Sequence, residues 1–293
     1  MIAILRKELA DYFTSLRCII LFLLVILASA GGIYAAYYGI RGEIYATGFV
    51  FLKLFTTSGK DIPSLITFIA LFVPIIGIAL GFDAINREHS SGTMSRILAQ
   101  PVYRDSVING KFLAGIVTIF IMMGATLLIV SGYGLQMIGV PPTSEEIIRL
   151  FIYLIFIIIY GAFWMGLAVL FSILFRSVAI SLLSSLTIWL FFGFFYTQVI
   201  IPSVAKTVEM LPMLLRLSPY TLFEEATMVL LLPQWRGLGI LTAGGTAGML
   251  PNPLSLSQSL LLIWPQLTSL VCLTIICFAI SYVVFMRREI RAT

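Results

Sequence analysis

Six apolar runs, each of roughly 20 residues or more, decide what this chain can fold into. Their bounds are 18–40, 62–85, 112–138, 150–175, 177–201 and 260–286. A helix of about 20 apolar residues crosses a bilayer, and a soluble core could not bury so many such runs. Only 11% of the residues are charged, against roughly 25% in soluble proteins. We therefore expect an all-α polytopic membrane protein, with one transmembrane domain over residues 1–293.

The distribution of lysine and arginine predicts the orientation of these six spans. With the N-terminus inside, the inner segments are 1–17, 86–111, Arg176 and 287–293, and they hold eleven Lys and Arg residues. The outer segments, 41–61, 139–149 and 202–259, are longer in total but hold only seven. Positive residues favour the cytoplasmic side. We expect both termini in the cytoplasm, and we assign the net charge of +5 to this bias rather than to nucleic-acid binding.

The first 17 residues predict an amphipathic helix on the inner membrane surface. Apolar residues recur at steps of three and four, at Ile2, Leu5, Leu9, Tyr12 and Leu16. Arg6, Lys7, Glu8 and Asp11 form the expected polar face. Lys7 and Asp11 have the spacing of an i,i+4 ion pair. Such a helix lies in the interface plane, where it is either a simple anchor or a docking element.

The sequence has no motif for catalysis, nucleotide binding or metal binding. It contains no G-x-x-x-x-G-K-[ST] stretch, which cradles nucleotide phosphates in many ATPases. Its three cysteines lie in apolar runs without metal spacing, and one histidine, His89, cannot form a metal site alone. Ionisable residues are nearly absent from the span interiors, which disfavours an ion-coupled carrier. We expect no cofactor in this chain, and serines such as Ser181 should serve packing and hydrogen bonding.

The polar segment 86–111 interrupts this apolar pattern between the second and third spans. Gly92 should end the helix that leaves the membrane, and Thr93 should cap a short helix that Pro101 terminates. The second span carries Gly77 and Gly81, a spacing that permits close helix approach within one subunit or between two. A short, charged helix held between two spans has the form of a mechanical coupling element.

The long segment 202–259 is expected on the outer side. Within it, Ser218 and Pro219 predict the start of a helix that carries Glu224 and Glu225. This segment could be a lid of interfacial helices or an outer gate, and the sequence does not decide between them.

The polar segment resembles that of the ABC-2 type permeases, the membrane subunits of type-2 ABC exporters. The matching residues follow the pattern E-x-x-x-G-T, L-x-x-P-x-x-R and G-K, and are Glu88, Gly92, Thr93, Leu98, Pro101, Arg104, Gly110 and Lys111. The stretch LSPYTLFEEAT is similar to the outer segment of a subgroup that includes the nitrous-oxide-reductase maturation permease and antibiotic and multidrug exporters.

This resemblance implies the partners and the contact residues. Two permeases, identical or sister chains, would pair in the bilayer, and each would dock an ABC ATPase subunit that binds ATP and magnesium. The contacts implied in the coupling loop are Glu88, Gly92, Thr93, Arg96, Pro101, Arg104 and Lys111. The interfacial helix would add Arg6, Lys7 and Glu8.

The function expected from this resemblance is export of an unidentified substrate across the cell membrane of a prokaryote, driven by ATP hydrolysis in the partner. The lack of charge in the spans favours apolar or amphiphilic cargo. The alternatives are an ATP-independent channel or carrier, and a membrane scaffold that recruits an ATPase without transport.

Overall fold

A computed structural model describes residues 1–40, 49–58, 62–90, 103–200, 216–234 and 253–287. No strand occurs within these ranges. The helices are α1 (Ile2–Thr14), α2 (Leu16–Ile40), α3 (Val50–Thr56), α4 (Leu65–Gly81), α5 (Asn86–Ser90), α6 (Arg104–Ile138), α7 (Ser144–Leu174), α8 (Val178–Leu190), a π-helix π1 (Phe191–Ile200), α9 (Pro219–Leu231) and α10 (Leu256–Arg287).

Within the described ranges, six helical stretches are long and apolar enough to cross a membrane, which confirms the predicted all-α, six-span fold. They are Leu16–Ile40, Leu65–Glu88, Arg104–Ile138, Ser144–Leu174, Val178–Thr197 and Leu256–Arg287. Because six spans are even in number, both ends of the chain lie on one face of the bundle. We call this face, which also carries α1 and α5, the terminal face, and the other, which carries α3 and α9, the opposite face.

The fourth span, α7, is the centre of the bundle. In its most apolar window 72% of the residues are buried, against 11% in the fifth span and 17% in the sixth. Its largest buried side chains are Trp164, Arg149, Tyr153 and Tyr160. The fifth and sixth spans therefore expose most of their apolar surface, and only the bilayer or another apolar protein surface can cover it.

Two glycines bring the second span against this central helix. A Cβ atom on Gly77 would lie 2.6 Å from the carbonyl oxygen of Gly161, and one on Gly81 would lie 2.7 Å from that of Met165. Both distances are shorter than any real Cβ contact, so only glycine permits this backbone approach. The G-x-x-x-G step of the second span therefore packs within the chain.

Candidate functional site

A cluster of four charged side chains, three of them buried, joins three elements at the terminal face. The Nζ atom of Lys111 on α6 lies 2.8 Å from Glu8 Oε1 on α1 and 2.9 Å from Glu88 Oε1 on α5. Lys7 Nζ lies 3.3 Å from each of the same two oxygens. We call Lys7, Glu8, Glu88 and Lys111 the terminal-face cluster. It bonds the first helix to the end of the second span and to the start of the third.

The net charge of the terminal-face cluster is zero, and three of its four side chains are buried. The side chains of Lys111, Glu8 and Glu88 are only 5%, 9% and 12% exposed. Burial lowers the pKa of the half-exposed Lys7, but the nearby carboxylates of Glu8 and Glu88 outweigh burial and raise the pKa overall. Removing one member of such a buried set leaves an uncompensated charge, which costs about 3–5 kcal/mol. The three elements are therefore expected to move together.

Further contacts between α1, α2 and the second span surround this cluster. The hydroxyl of Tyr12 donates to the carbonyl of Leu80 at 3.0 Å. Arg17 pairs with Asp83 at 3.0 Å, and its guanidinium lies 5.3 Å from the centre of the Phe82 ring. Contacts from α1 and from the start of α2 thus tie the first two helices to the second span.

The second span breaks after Gly81, and serines of two other spans bind the backbone groups that the break frees. Ser172 Oγ of α7 accepts the N–H groups of Ile85 and Asn86 at 2.9 and 3.1 Å. Ser181 Oγ of α8 donates to the carbonyl of Phe82 at 2.8 Å. The predicted hydrogen-bonding role of Ser181 is thus confirmed. An unpaired buried backbone group is costly, so these serines fix the direction in which α5 leaves the membrane.

The structure brings four of the predicted contact residues together and separates others. Glu88, Lys111, Lys7 and Glu8 form the terminal-face cluster. Arg104 begins α6, and Arg6 is exposed on α1. Gly92, Thr93, Arg96 and Pro101 lie outside the described residues, as does the short helix predicted after Gly92. The contact of these residues with an ATPase stays a prediction.

The predicted polar face of α1 is wrong at Glu8. Its side chain is buried, because Lys111 reaches it from a helix 103 residues away. The predicted ion pair between Lys7 and Asp11 is confirmed at 3.8 Å. Periodicity could not reveal the Lys111 contact. The one available signal was that Lys111 directly precedes a long apolar run, where a lysine needs a carboxylate.

A second buried site, which the sequence did not predict, centres on Arg149 at the opposite face. The predicted outer segment 139–149 ends at Arg149, but this prediction is wrong there. Arg149 lies in α7, which begins at Ser144, and has no exposed surface. Its guanidinium contacts Glu145 Oε1 at 2.8 Å and donates to the carbonyls of Leu230 at 2.7 Å and Leu254 at 2.8 Å. It also donates to Ser259 Oγ at 3.1 Å.

The Arg149 hub, which is Arg149 with these acceptors, joins the end of α9 to the start of α10. A cation near a helix C-terminus is favourable, and the planar guanidinium supplies five donors to fixed acceptors. The hub therefore holds the end of α9 at the opposite face through a bond to the backbone oxygen of Leu230.

Glu146, beside Arg149, caps two helices at once. Its Oε2 atom accepts from the N–H of Thr143 at 2.8 Å, and Thr143 Oγ1 accepts from the Glu146 N–H at 3.3 Å, which forms a capping box. Its Oε1 atom accepts from the N–H groups of Phe51 and Leu52 at 3.1 and 3.4 Å. One buried carboxylate thus fixes α3 against the start of the fourth span.

The predicted helix of the segment 202–259 begins at Pro219, as expected, but its cap differs. Ser218 occupies the N-cap position without capping the helix. Its hydroxyl instead donates to the carbonyl of Phe192 in π1 at 3.2 Å. The side chain of this serine therefore links α9 to the fifth span and does not cap the N-terminus of α9.

Comparison with known proteins identifies the family of this six-span bundle. The model of the ABC-2 family transporter proteins matches residues 2–290. The chain belongs to this family. Over 240 residues it is 28% identical to the probable ABC transporter permease protein NosY of Pseudomonas aeruginosa, which covers 75% of this chain and 78% of that protein.

The ABC-2 chain is thus a permease subunit of an ABC transporter and a multi-pass membrane protein. Such a subunit is not itself a catalytic enzyme, and membership of the family implies an ABC ATPase as its partner. The two buried sites lie at the two faces of this permease.

Proposed function

We propose that this permease exports its substrate from a prokaryotic cell, with the terminal face in the cytoplasm and the energy supplied by a separate ATPase. The bias of Lys and Arg toward the segments of the terminal face supports this orientation. The ATPase would dock against α1 and the coupling loop 86–111. The chain itself would hold no cofactor, because ATP and magnesium would bind to the partner.

The observation that carries this proposal is the terminal-face cluster. A force applied to α1 or to the loop reaches α6 directly through Lys111, because both carboxylates, Glu8 and Glu88, bind the same ammonium at 2.8 and 2.9 Å. The cluster would therefore convert closure of the ATPase subunits into movement of the second and third spans. Bistable packed elements of this kind propagate local shifts over long distances.

A second permease, either an identical copy or a sister chain, would complete the translocase. The fifth span supports this part of the proposal, since Ile180, Leu183, Leu190 and Phe194 are each about half exposed or more. A π-helix continues the same span at Phe191–Ile200, and π-helical turns are frequent at functional sites. The lining of the path would then be apolar and aromatic, which favours apolar or amphiphilic cargo.

The first experiment is co-purification from the native membrane with a tag on this chain. We expect a soluble ATPase in stoichiometric amount, and we expect scrambling of residues 86–104 to release it. Recovery of the folded chain without any ATPase would reject the proposal and favour a channel or carrier.

The second experiment tests transmission through the terminal-face cluster in the purified complex. Hydrogen exchange of residues 104–115 is compared with and without a non-hydrolysable ATP analogue. We expect the nucleotide to change exchange in the wild type and in Asp11→Asn, whose carboxyl is exposed, but not in Lys111→Met. A nucleotide response that survives in Lys111→Met would remove the cluster from the coupling mechanism. An ATPase partner with no nucleotide response in the wild type would indicate a scaffold.

A further inference from the structure

Glu224 is a buried acid in the middle of α9, and nothing in the proposed transport cycle uses it. Its side chain is 2% exposed, and no hydrogen bond or ion pair joins it to another described residue. The adjacent Glu225 differs, since it pairs with Arg216 at 3.6 Å and is 12% exposed at its side chain. The two acids therefore form a matched pair on one helix, one buried without a partner and one paired near the surface.

Glu224 lies deep against the central helix of the bundle. The neighbouring Phe223 ring stacks on Tyr160 of α7, with 4.3 Å between ring centres and an interplanar angle of 10°. The hydroxyl of Tyr160 donates to the carbonyl of Ala70 on α4 at 3.3 Å, so its proton is directed to another acceptor. The phenol groups of Tyr160 and Tyr220 are the titratable neighbours of Glu224.

The elements packed against α9 bring no free cation to Glu224. Within the described residues, their titratable and charged side chains are Glu145, Glu146, Arg149, Tyr153 and Tyr160 of α7, Lys53 of α3 and Tyr196 of π1. Arg149 is held by Glu145 and by backbone carbonyls, while α4 and residues 256–271 of α10 contain no titratable side chain. An ionised carboxylate among these described side chains loses its hydration without gaining a counter-charge from them, so the neutral acid is favoured.

Burial accordingly raises the pKa of Glu224 from its ordinary 4.5 to about 8. Because of this shift, the packing of α9 depends on pH. Below pH 4.5 Glu224 is protonated whether α9 is packed or released, so its contribution to the packed position of α9 is fully present there. This contribution is lost as the pH rises toward 8, because the released helix ionises its acid more readily than the packed helix does.

The surfaces that receive α9 also hold buried polar atoms without partners. These atoms are Tyr153 Oη on α7 and Gln266 Oε1 on α10, and neither has a hydrogen-bond partner. Gln266 directly follows Pro265, which lies inside α10 and removes a backbone hydrogen bond there. Buried polar groups are normally bonded, so the present packing leaves these two hydrogen-bonding capacities unused.

We propose that Glu224 is the positioning residue of α9, and that its proton holds this helix against α7 and α10 while its ionisation releases the helix. The Arg149 hub would remain the fixed end of α9, and the segment around Glu224 would move. This inference rests on the proposed function for its place in transport, where α9 would form a proton-sensitive gate at the outer face.

The test is hydrogen exchange of residues 219–231 in the full chain, purified with its partners into nanodiscs at pH 6 and pH 8. After correction for the intrinsic rate, we expect exchange in the wild type to increase at least about tenfold at pH 8. Glu225→Gln should show the same increase. Glu224→Gln, which mimics the neutral acid, should show no increase, and Glu224→Met provides a second variant that cannot ionise.

An equal pH response in Glu224→Gln and the wild type would overturn the proposal, as would a wild-type helix with no response. The readout needs neither ATP nor substrate. A chain that lacks an ATPase partner would therefore fail the proposed function and still give a decisive answer on Glu224.

Discussion

The terminal-face cluster and the Arg149 hub solve the same problem, the burial of charge at an end of a span, with different partners. In the cluster, Lys111 binds two carboxylates from α1 and α5. In the hub, Arg149 binds one carboxylate from its own helix and carbonyl oxygens from α9 and beyond. Side-chain partners can separate and re-form with other charges, whereas backbone acceptors at helix ends stay fixed to their helices.

This difference suggests that the two faces have different mechanical roles. A transporter must transmit force at the face where the ATPase docks, and ion pairs between separate elements permit this. At the other face it needs a fixed point from which helices can move. The following predictions test this contrast, from the largest expected effect to the smallest.

The largest loss is expected for Arg149→Met. The substitution leaves the carbonyls of Leu230 and Leu254 without their donor, and buried groups that lose a charged partner cost about 3–5 kcal/mol in total. Thermal unfolding in detergent, followed by size-exclusion chromatography, should show a strongly lowered midpoint. Arg216→Met, which removes a half-exposed arginine with a 3.6 Å pair, should change the midpoint little.

Lys111→Met is expected to destabilise the chain nearly as much, by about 3–4 kcal/mol, because Glu8 and Glu88 keep only Lys7. The two sites should differ in whether further substitutions restore the stability that the first substitution removes. Glu8→Gln and Glu88→Gln added to Lys111→Met should restore most of the unfolding midpoint, since no buried charge is then left unpaired. No side-chain substitution can remove the carbonyls around Arg149, so Arg149→Met combined with Glu145→Gln should remain destabilised. Equal rescue at both faces would refute the contrast.

Gly77→Ala tests the helix contact that connects the two faces. The new methyl group meets the backbone oxygen of Gly161 at 2.6 Å, and a backbone atom cannot turn aside, so we expect a loss of about 1–3 kcal/mol. Gly132→Ala, at a position where nothing lies within 4 Å, is the matched control and should be neutral or slightly stabilising. Unfolding midpoints of the two variants in one detergent provide the comparison.

The smallest effect is expected for Thr143→Ala, which removes one half of the capping box on α7. The loss of an N-cap costs about 1 kcal/mol, and Glu146 keeps its bonds to Phe51 and Leu52. Glu146→Ala should cost clearly more, because it frees the amides of α3 as well. Similar unfolding midpoints for the two variants would show that the contact with α3 adds nothing to stability.

Much of the fold was predictable, because the length of an apolar run is a local property. All six spans follow from it, whereas the helix that begins at Pro219 follows from the start signals Ser218 and Pro219. The predicted span bounds differ most from the observed helix ends where polar residues continue a helix beyond the apolar run, as at Arg104 and Ser144. There the apolar signal stops, while backbone hydrogen bonding continues.

The site was predictable only in part. The motif pattern singled out Glu88 and Lys111, and the interfacial helix drew attention to Lys7 and Glu8. No local pattern shows that these residues bind one another, since Lys111 and Glu8 lie 103 positions apart. The Arg149 hub could not be predicted from the sequence, because two of its acceptors are backbone oxygens, which leave no trace in residue identity, and Ser259 lies 110 positions away.

The sequence by itself determined the class of protein, the number of spans and the polar loop through which the permease is expected to contact its ATPase. These depend on the transfer of side chains between water and hydrocarbon, a property of composition and run length. The tertiary structure alone decided which charges are buried, which acids have partners and which glycines bring backbones together. Such properties depend on distances between residues that are remote in sequence, and Glu224 beside Glu225 shows the result: adjacent identical residues with opposite surroundings.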